Sequence, residues 1–184
     1  MDTKEFNSIQ GWITPDEANT LNEFASKSSG PIAEIGSFKG KSSYCLSRGT
    51  AYSVYCIDLF YGYSHCVGGE SYSDFLSNMR RLKCKNIHPI FGDSKIVHEI
   101  FADRCLGMLF IDGDHAYDSV KADYYNWKPK VMPGGYILFH DSHWKGDLTK
   151  IDFGQCEGVE QFIAEIDLEH VCDSDTISVF KVGE

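Results

Sequence analysis

The sequence predicts an α/β fold, a mostly parallel sheet covered by helices on both faces. Two observations predict it. Short apolar segments with strand character alternate with amphipathic helical segments along nearly the whole chain, the pattern of successive β-α-β units. The residues that end those strands are unusually polar, and in open α/β sheets ligands bind outside the carboxyl ends of the strands.

The elements follow in order. Thr14-Pro15-Asp16-Glu17 is a helix start: Thr14 caps, Pro15 suits the first turn, and Glu17 falls where a capping box needs it. Ala18, Leu21 and Phe24/Ala25 recur at helical spacing, so a helix is expected over 15–27, stopped by Ser28-Ser29-Gly30-Pro31. Ile32 to Ile35 is the first strand, followed by a glycine-bearing turn and a helix to about Arg48. Ser53 to Asp58 is the second strand, rich in β-branched and aromatic residues. Residues 60–71, rich in Gly, Ser and Tyr, are expected as a long loop. Helix is expected over 71–82, strand over 86–91 and helix over 94–103. Leu106 to Asp112 is the most hydrophobic strand, and Ala116 to Trp127 a helix ended by Pro129. Met132-Pro133-Gly134-Gly135 is expected as a turn into a strand from Tyr136 to His140. A loop over 142–156, a helix over 157–166 and a hairpin of strands near 168–172 and 176–182 complete the chain. No domain linker interrupts this pattern, so residues 1–184 are expected to form one domain.

Charge and cysteines narrow the class. Seventeen basic against twenty-seven acidic residues give a formal charge of −10, which argues against a nucleic-acid partner, because such binding needs a basic surface that releases counterions. The one basic cluster, Arg80, Arg81, Lys83 and Lys85, reads as a helix C-terminal turn. No apolar run is long enough to span a bilayer and no secretory signal is evident, so a cytoplasmic location without membrane contact is expected. The seven cysteines (45, 56, 66, 84, 105, 156 and 172) are dispersed, with no C-x-x-C pair, as reduced thiols would be.

The strand ends carry the parts of a nucleoside site. The first ends in Glu34-Ile-Gly36-Ser37-Phe-Lys-Gly40, where the glycines permit a sharp turn and close approach of a ligand to the backbone. The G-x-G-x-x-G pattern of a dinucleotide site is absent, and a carboxylate at Glu34 would repel a pyrophosphate but suits the ammonium of an amino acid. Asp58, ending the second strand, suits two ribose hydroxyls. Asp93 and Ser94, after the third, could meet an adenine edge or simply cap the next helix.

Taken in this order along nearly the whole chain, IAEIGSFKGKSS, VYCIDLF and LFIDGDHAYDSVKADYYNWKPKVMPGGYILFHD resemble the class I S-adenosylmethionine-dependent methyltransferases, and within them a subgroup of small O-methyltransferase-like domains. The resemblance implies a Rossmann-like, seven-stranded sheet whose last strand runs antiparallel. It assigns Glu34, Gly36, Ser37 and Gly40 to the amino-acid side of S-adenosylmethionine, Asp58 to the ribose, Asp93 and Ser94 to the adenine, and Asp112 to the rim of the cofactor site.

Two further strand ends carry the chemistry. Asp112-Gly-Asp114-His115 and His140-Asp141-Ser-His143 should be neighbours at the mouth of the cleft. Carboxylates and imidazoles together can hold a divalent metal, and a hydroxyl that attacks a sulfonium methyl must lose its proton, which a metal and a histidine base can assist. At this point the chain is similar to the metal-dependent catechol-type O-methyltransferases, whose Mg²⁺ ligands correspond to Asp112, His140 and Asp141 and whose catalytic lysine corresponds to His115. Histidine in place of an oxygen ligand at 140 shifts the expectation from Mg²⁺ toward Mn²⁺, Zn²⁺ or no metal at all. His115, with an ordinary pKa near neutrality, is the expected base, Asp112 its partner and His143 a further candidate.

Tyr61, Tyr63, His65, Trp144 and Phe153 are expected to flank the cleft, as lids, as solvent-facing aromatics or as a homodimer contact. The reading is a methyltransferase acting on a small-molecule hydroxyl. A module that binds the cofactor without chemistry and another reaction in the same cleft stay open, because fold alone does not decide function.

Overall fold

The computed structural model describes residues 2–60, 71–143 and 156–183. Strands β1 (Ile32–Ile35), β2 (Val54–Asp58), β3 (Ile87–Phe91), β4 (Leu106–Ile111), β5 (Val131–Phe139), β6 (Glu169–Ser174) and β7 (Ile177–Lys181) form one seven-stranded sheet in the order β3-β2-β1-β4-β5-β7-β6. The first five strands pair in parallel, and β7 runs antiparallel to both β5 and β6. The strands called most apolar by sequence sit at the centre: every residue of β1 and β4 is buried. Edge strands β3 and β6 are largely open to solvent.

Alternation along each strand divides the core between two faces. Ile32, Val54, Cys56, Met108, Phe110 and Leu138 pack against α1 (Thr3–Asn7), α2 (Pro15–Lys27), α3 (Lys41–Gly49) and α4 (Ser71–Arg81). Ala33, Ile35, Ile57, Leu109, Ile111, Ile137 and Phe139 pack against α5 (Ser94–Val97), α6 (Tyr117–Trp127) and α7 (Cys156–Ile163), with Tyr124, Trp127 and Phe162 as the large fillers. The capping box of α2 forms as its sequence requires: Glu17 N donates to Thr14 Oγ1 at 3.3 Å and Thr14 N donates to Glu17 Oε2 at 2.9 Å. Cys45, Cys56, Cys84, Cys105 and Cys172 are free thiols. No helix among the described residues is long and apolar enough to cross a membrane.

Three elements depart from expectation. Helix α1 was not anticipated, because five residues hold too little periodicity to register; Asp2 starts it by accepting from Lys4 N and Glu5 N, and Phe6 anchors it in the core. The helix expected over 94–103 stops at Val97 and tightens into a 3-10 turn over His98–Ile100. The turn expected at 132–135 lies inside β5: Val131 pairs with Leu106 and Tyr136 with Met108, so the extra residues are absorbed as an irregularity in the ladder. Gly134, with φ of +76°, accommodates it.

The chain runs β1 to β2 to β3 toward one edge, then returns to place β4 on the other side of β1. The order of connections therefore reverses between β1 and β4, the point outside whose carboxyl ends open α/β sheets bind ligands. Gly36 makes the closest approach there. Its φ is +87°, and a Cβ at that position would lie 1.9 Å from the Asp112 carbonyl oxygen. Gly36→Ala is therefore expected to lose about 3 kcal/mol or more of stability, from left-handed strain plus a backbone collision. Urea unfolding of the variant checks this; a loss under about 1 kcal/mol would show that the two strand ends can separate freely.

Candidate active site

The ladder continues one residue beyond the strands and thereby aligns the site. Gly36 N donates to Ile57 O at 2.9 Å, Asp112 N to Ile35 O at 2.9 Å and His140 N to Ile111 O at 3.1 Å. Asp112 and His140 are thus held side by side, one strand spacing apart. Asp141 then adopts φ of +56°, a conformation Asp accepts more readily than most residues. Ser142 secures the turn by donating from N and Oγ to Thr176 O, at 2.9 and 2.6 Å.

Four side chains converge from these ends. His140 Nδ1 lies 2.9 Å from Asp112 Oδ1 and 3.3 Å from Asp141 Oδ2. His115 Nε2 lies 3.4 Å from Asp141 Oδ2 and 3.6 Å from Asp112 Oδ1. All four donor atoms fall within 4.8 Å of one another. Ligand bonds of about 2.0–2.1 Å set donor–donor edges of roughly 3.3 Å in a tetrahedral site, and the four separations above, from 2.9 to 3.6 Å, lie near that edge. His140 Nδ1 is also buried and makes no well-aligned hydrogen bond among the described residues. A mixed nitrogen and carboxylate set favours Zn²⁺ or Mn²⁺ over Mg²⁺.

The electrostatics of the cluster are cooperative. Burial opposes a charge on His140, but Asp112, then Asp141 and Glu17, outweigh it and hold the imidazolium pKa well above its ordinary value. Burial alone would raise Asp112; His140 and His115 reverse that and lower it. Glu17, also desolvated, is brought down to about 2 by His140 and by its bonds to Thr14 and Thr176. This glutamate was legible in sequence only as a capping residue. Its place beside His140 depends on a contact 123 positions away.

His143 is not part of the cluster. Ser142 is tied to Thr176, so His143 is directed toward the β6–β7 hairpin, where it meets Ser178 Oγ at 3.1 Å and Asp173 Oδ1 at 3.3 Å. Tyr61, Tyr63, His65, Trp144 and Phe153 lie outside the described residues.

The residues expected at the nucleoside lie at the neighbouring strand ends. Gly36, Ser37 and Gly40 form the turn after β1, with Gly40 at φ of +88°. Glu34 is fully buried beneath that turn; it accepts from Ser37 Oγ at 2.7 Å and from Ser43 Oγ, while its Oε1 has no hydrogen-bond partner among the described residues. Burial raises its pKa against those serine bonds. It shapes the turn from below. Asp58 accepts from Phe38 N at 2.7 Å and Phe60 N at 2.5 Å, so it braces the loops after β1 and β2. Both Phe38 and Phe60 have positive φ. Asp93 caps α5 through Lys95 N. Ser94 donates to Asp123 Oδ1 at 2.6 Å, and its carbonyl accepts from Trp127 Nε1.

A family model described as a methyltransferase domain matches residues 33–142, from β1 through the cluster and over more than half of the chain. The chain belongs to the methyltransferase-domain family. Its fold is that of class I S-adenosylmethionine-dependent O-methyltransferase-like proteins. Solved structures similar to this methyltransferase-domain chain include an O-methyltransferase from Bacillus cereus in complex with S-adenosylhomocysteine, at 14% identity and a TM-score of 0.68, covering 99% of this chain and 92% of that one. TomG, an O-methyltransferase from Streptomyces achromogenes in complex with S-adenosylmethionine, is 16% identical with a TM-score of 0.69, over 94% and 82% of the two chains. The methyltransferase PaMTH1 of Podospora anserina, bound to S-adenosylhomocysteine, is 14% identical with a TM-score of 0.70, over 94% and 80%. At such identities the likeness is one of fold. A protein designated y4gI from Sinorhizobium fredii is 29% identical over 124 residues, 60% of this chain; the match spans 13% of that relative's length.

Asp123, which accepts from Ser94, supplies a check on the packing after β3. Burial raises its pKa to about 6, against the Ser94 bond and Lys95. A carboxyl raised in the folded state contributes stability below its unfolded value and loses it as pH rises through the folded value. Wild type is therefore expected to lose on the order of 2–3 kcal/mol more stability than Asp123→Asn between pH 4 and pH 7.5. Denaturant unfolding of both proteins across that range tests it; parallel curves would place Asp123 in a solvated setting.

Proposed function

We propose that this protein transfers the methyl group of S-adenosylmethionine to a hydroxyl of a small-molecule acceptor, assisted by a divalent ion held by Asp112, His140 and Asp141. The observation that carries the reading is the convergence of Asp112, His115, His140 and Asp141 at the carboxyl ends of β4 and β5, next to the Gly36–Gly40 turn, in a methyltransferase-domain chain.

S-adenosylmethionine supplies an electrophilic methyl on its sulfonium. A divalent ion supplies Lewis acidity that lowers the pKa of an acceptor oxygen. The chain's own residues do the rest. The Gly36, Ser37 and Gly40 turn, shaped by Glu34 from below, receives the amino-acid end of the cofactor. Asp58 keeps carboxylate lone pairs for the ribose hydroxyls beyond those used by Phe38 and Phe60. Asp93 and Ser94 border the adenine. His115 Nε2 takes the hydroxyl proton as the acceptor attacks, and Asp112 and Asp141, at 3.6 and 3.4 Å, stabilise the charge that then develops on its ring. The acidic balance of the chain supports a small-molecule acceptor in preference to a nucleic acid.

Calorimetric titration with S-adenosylmethionine and S-adenosylhomocysteine, with and without Mg²⁺, Mn²⁺ or Zn²⁺, tests this directly. Wild type is expected to bind both cofactors, and Asp58→Ala to bind them at least about tenfold more weakly. His115→Ala should retain cofactor binding yet lose on the order of 10²-fold or more in methyl transfer across a panel of hydroxylated acceptors. The absence of heat with either cofactor would overturn the methyltransferase reading.

A further inference from the structure

Glu17 occupies a setting that helix capping does not explain. As the third residue of α2 it accepts from Thr14 N, a task that an exposed glutamate performs equally well. Here the side chain is 1% exposed, and burying a carboxylate is costly unless it is paired and hydrogen-bonded. Its partners come from three separate parts of the chain. Oε2 receives Thr14 N and faces His140 Nε2 at 3.4 Å. Oε1 accepts from Thr176 N at 3.1 Å and from Thr176 Oγ1 at 2.6 Å, in the turn between β6 and β7. The opposite nitrogen of the same imidazole, Nδ1, faces Asp112 and Asp141 at 2.9 and 3.3 Å.

A carboxylate on one ring nitrogen and a donor cluster on the other is the arrangement by which outer residues orient a metal-ligating histidine and fix which nitrogen binds. We propose that Glu17 is a positioning residue: it holds His140 with Nε2 directed away from the cluster, so that Nδ1 is the atom presented to a divalent ion. The inference rests on the metal-assisted reading and extends it to a residue outside the span 33–142 matched by the family model. Helix α2 and the β6–β7 turn, held together by Glu17 and Thr176, become the outer wall of the ion site. The histidine at 140 is then usable as a ligand because a glutamate on another element sets its ring.

The test measures ion binding separately from methyl transfer. Zn²⁺ and Mn²⁺ are titrated calorimetrically into wild type, Glu17→Gln and Thr14→Ala. Glu17→Gln is expected to weaken ion binding about 10- to 100-fold, while its affinity for S-adenosylhomocysteine stays within about twofold. Thr14→Ala removes the cap but leaves Glu17 in place, so its ion affinity should match wild type. Equal ion affinities for Glu17→Gln and wild type would overturn the positioning role and leave the metal reading intact. A wild type that binds cofactor but neither ion would overturn both. Should Glu17→Gln not fold, the wild type itself answers the question. In protein carrying ¹⁵N-histidine and loaded with ¹¹³Cd²⁺, scalar coupling to His140 Nδ1 is expected, and coupling to His140 Nε2 would overturn the proposal.

Discussion

The site exists because the hydrogen-bond ladder of β1, β4 and β5 runs one residue past the strands themselves. Asp112 N on Ile35 O and His140 N on Ile111 O extend the parallel register into the segment where the chain would otherwise turn away. That register fixes two polar side chains at adjacent strand spacing, with no freedom to drift apart. It also forces the turn after β1 against the Asp112 carbonyl, which only a residue without a side chain tolerates. The Gly36–Gly40 turn and the Asp112–His140 pair are therefore coupled through one glycine. A shift of either strand would disturb both.

Two buried glutamates show how environment, and not residue type, assigns a role. Glu34 is enclosed among serines, which donate but carry no charge, so burial dominates and its pKa rises. Glu17 is enclosed beside the His140 imidazole and the Thr176 donors, which outweigh its burial, and the balance falls the other way. The first suits a strut under a turn. The second suits a fixed negative partner for a histidine, and the two lie on the same side of the sheet, under the helices α2 and α3.

Much of the architecture was legible because the signals were local. The central strand β4 is a continuous apolar run, and the α2 capping box uses residues three apart, so each could be read without knowledge of the rest. α1 is too short for periodicity and depends on Phe6 reaching the core; β5 starts early because Leu106 offers Val131 a partner across an interrupted ladder; α5 tightens after one turn. For α1 and β5 a tertiary contact overrides a local preference.

The sequence by itself determined the order of strands and helices, the polar residues that end each strand, and the glycines that let the chain turn at the crevice. These follow from composition and spacing, which act over a few residues. Only the tertiary structure decided which of those polar residues meet. It brings Asp112, His115, His140 and Asp141 to one point, turns His143 toward the hairpin instead, and seats Glu17 behind His140 across 123 positions of sequence. The physical reason is that sheet register and helix docking are collective: each side chain's neighbours are chosen by the pairing of whole strands, and no local pattern records that choice.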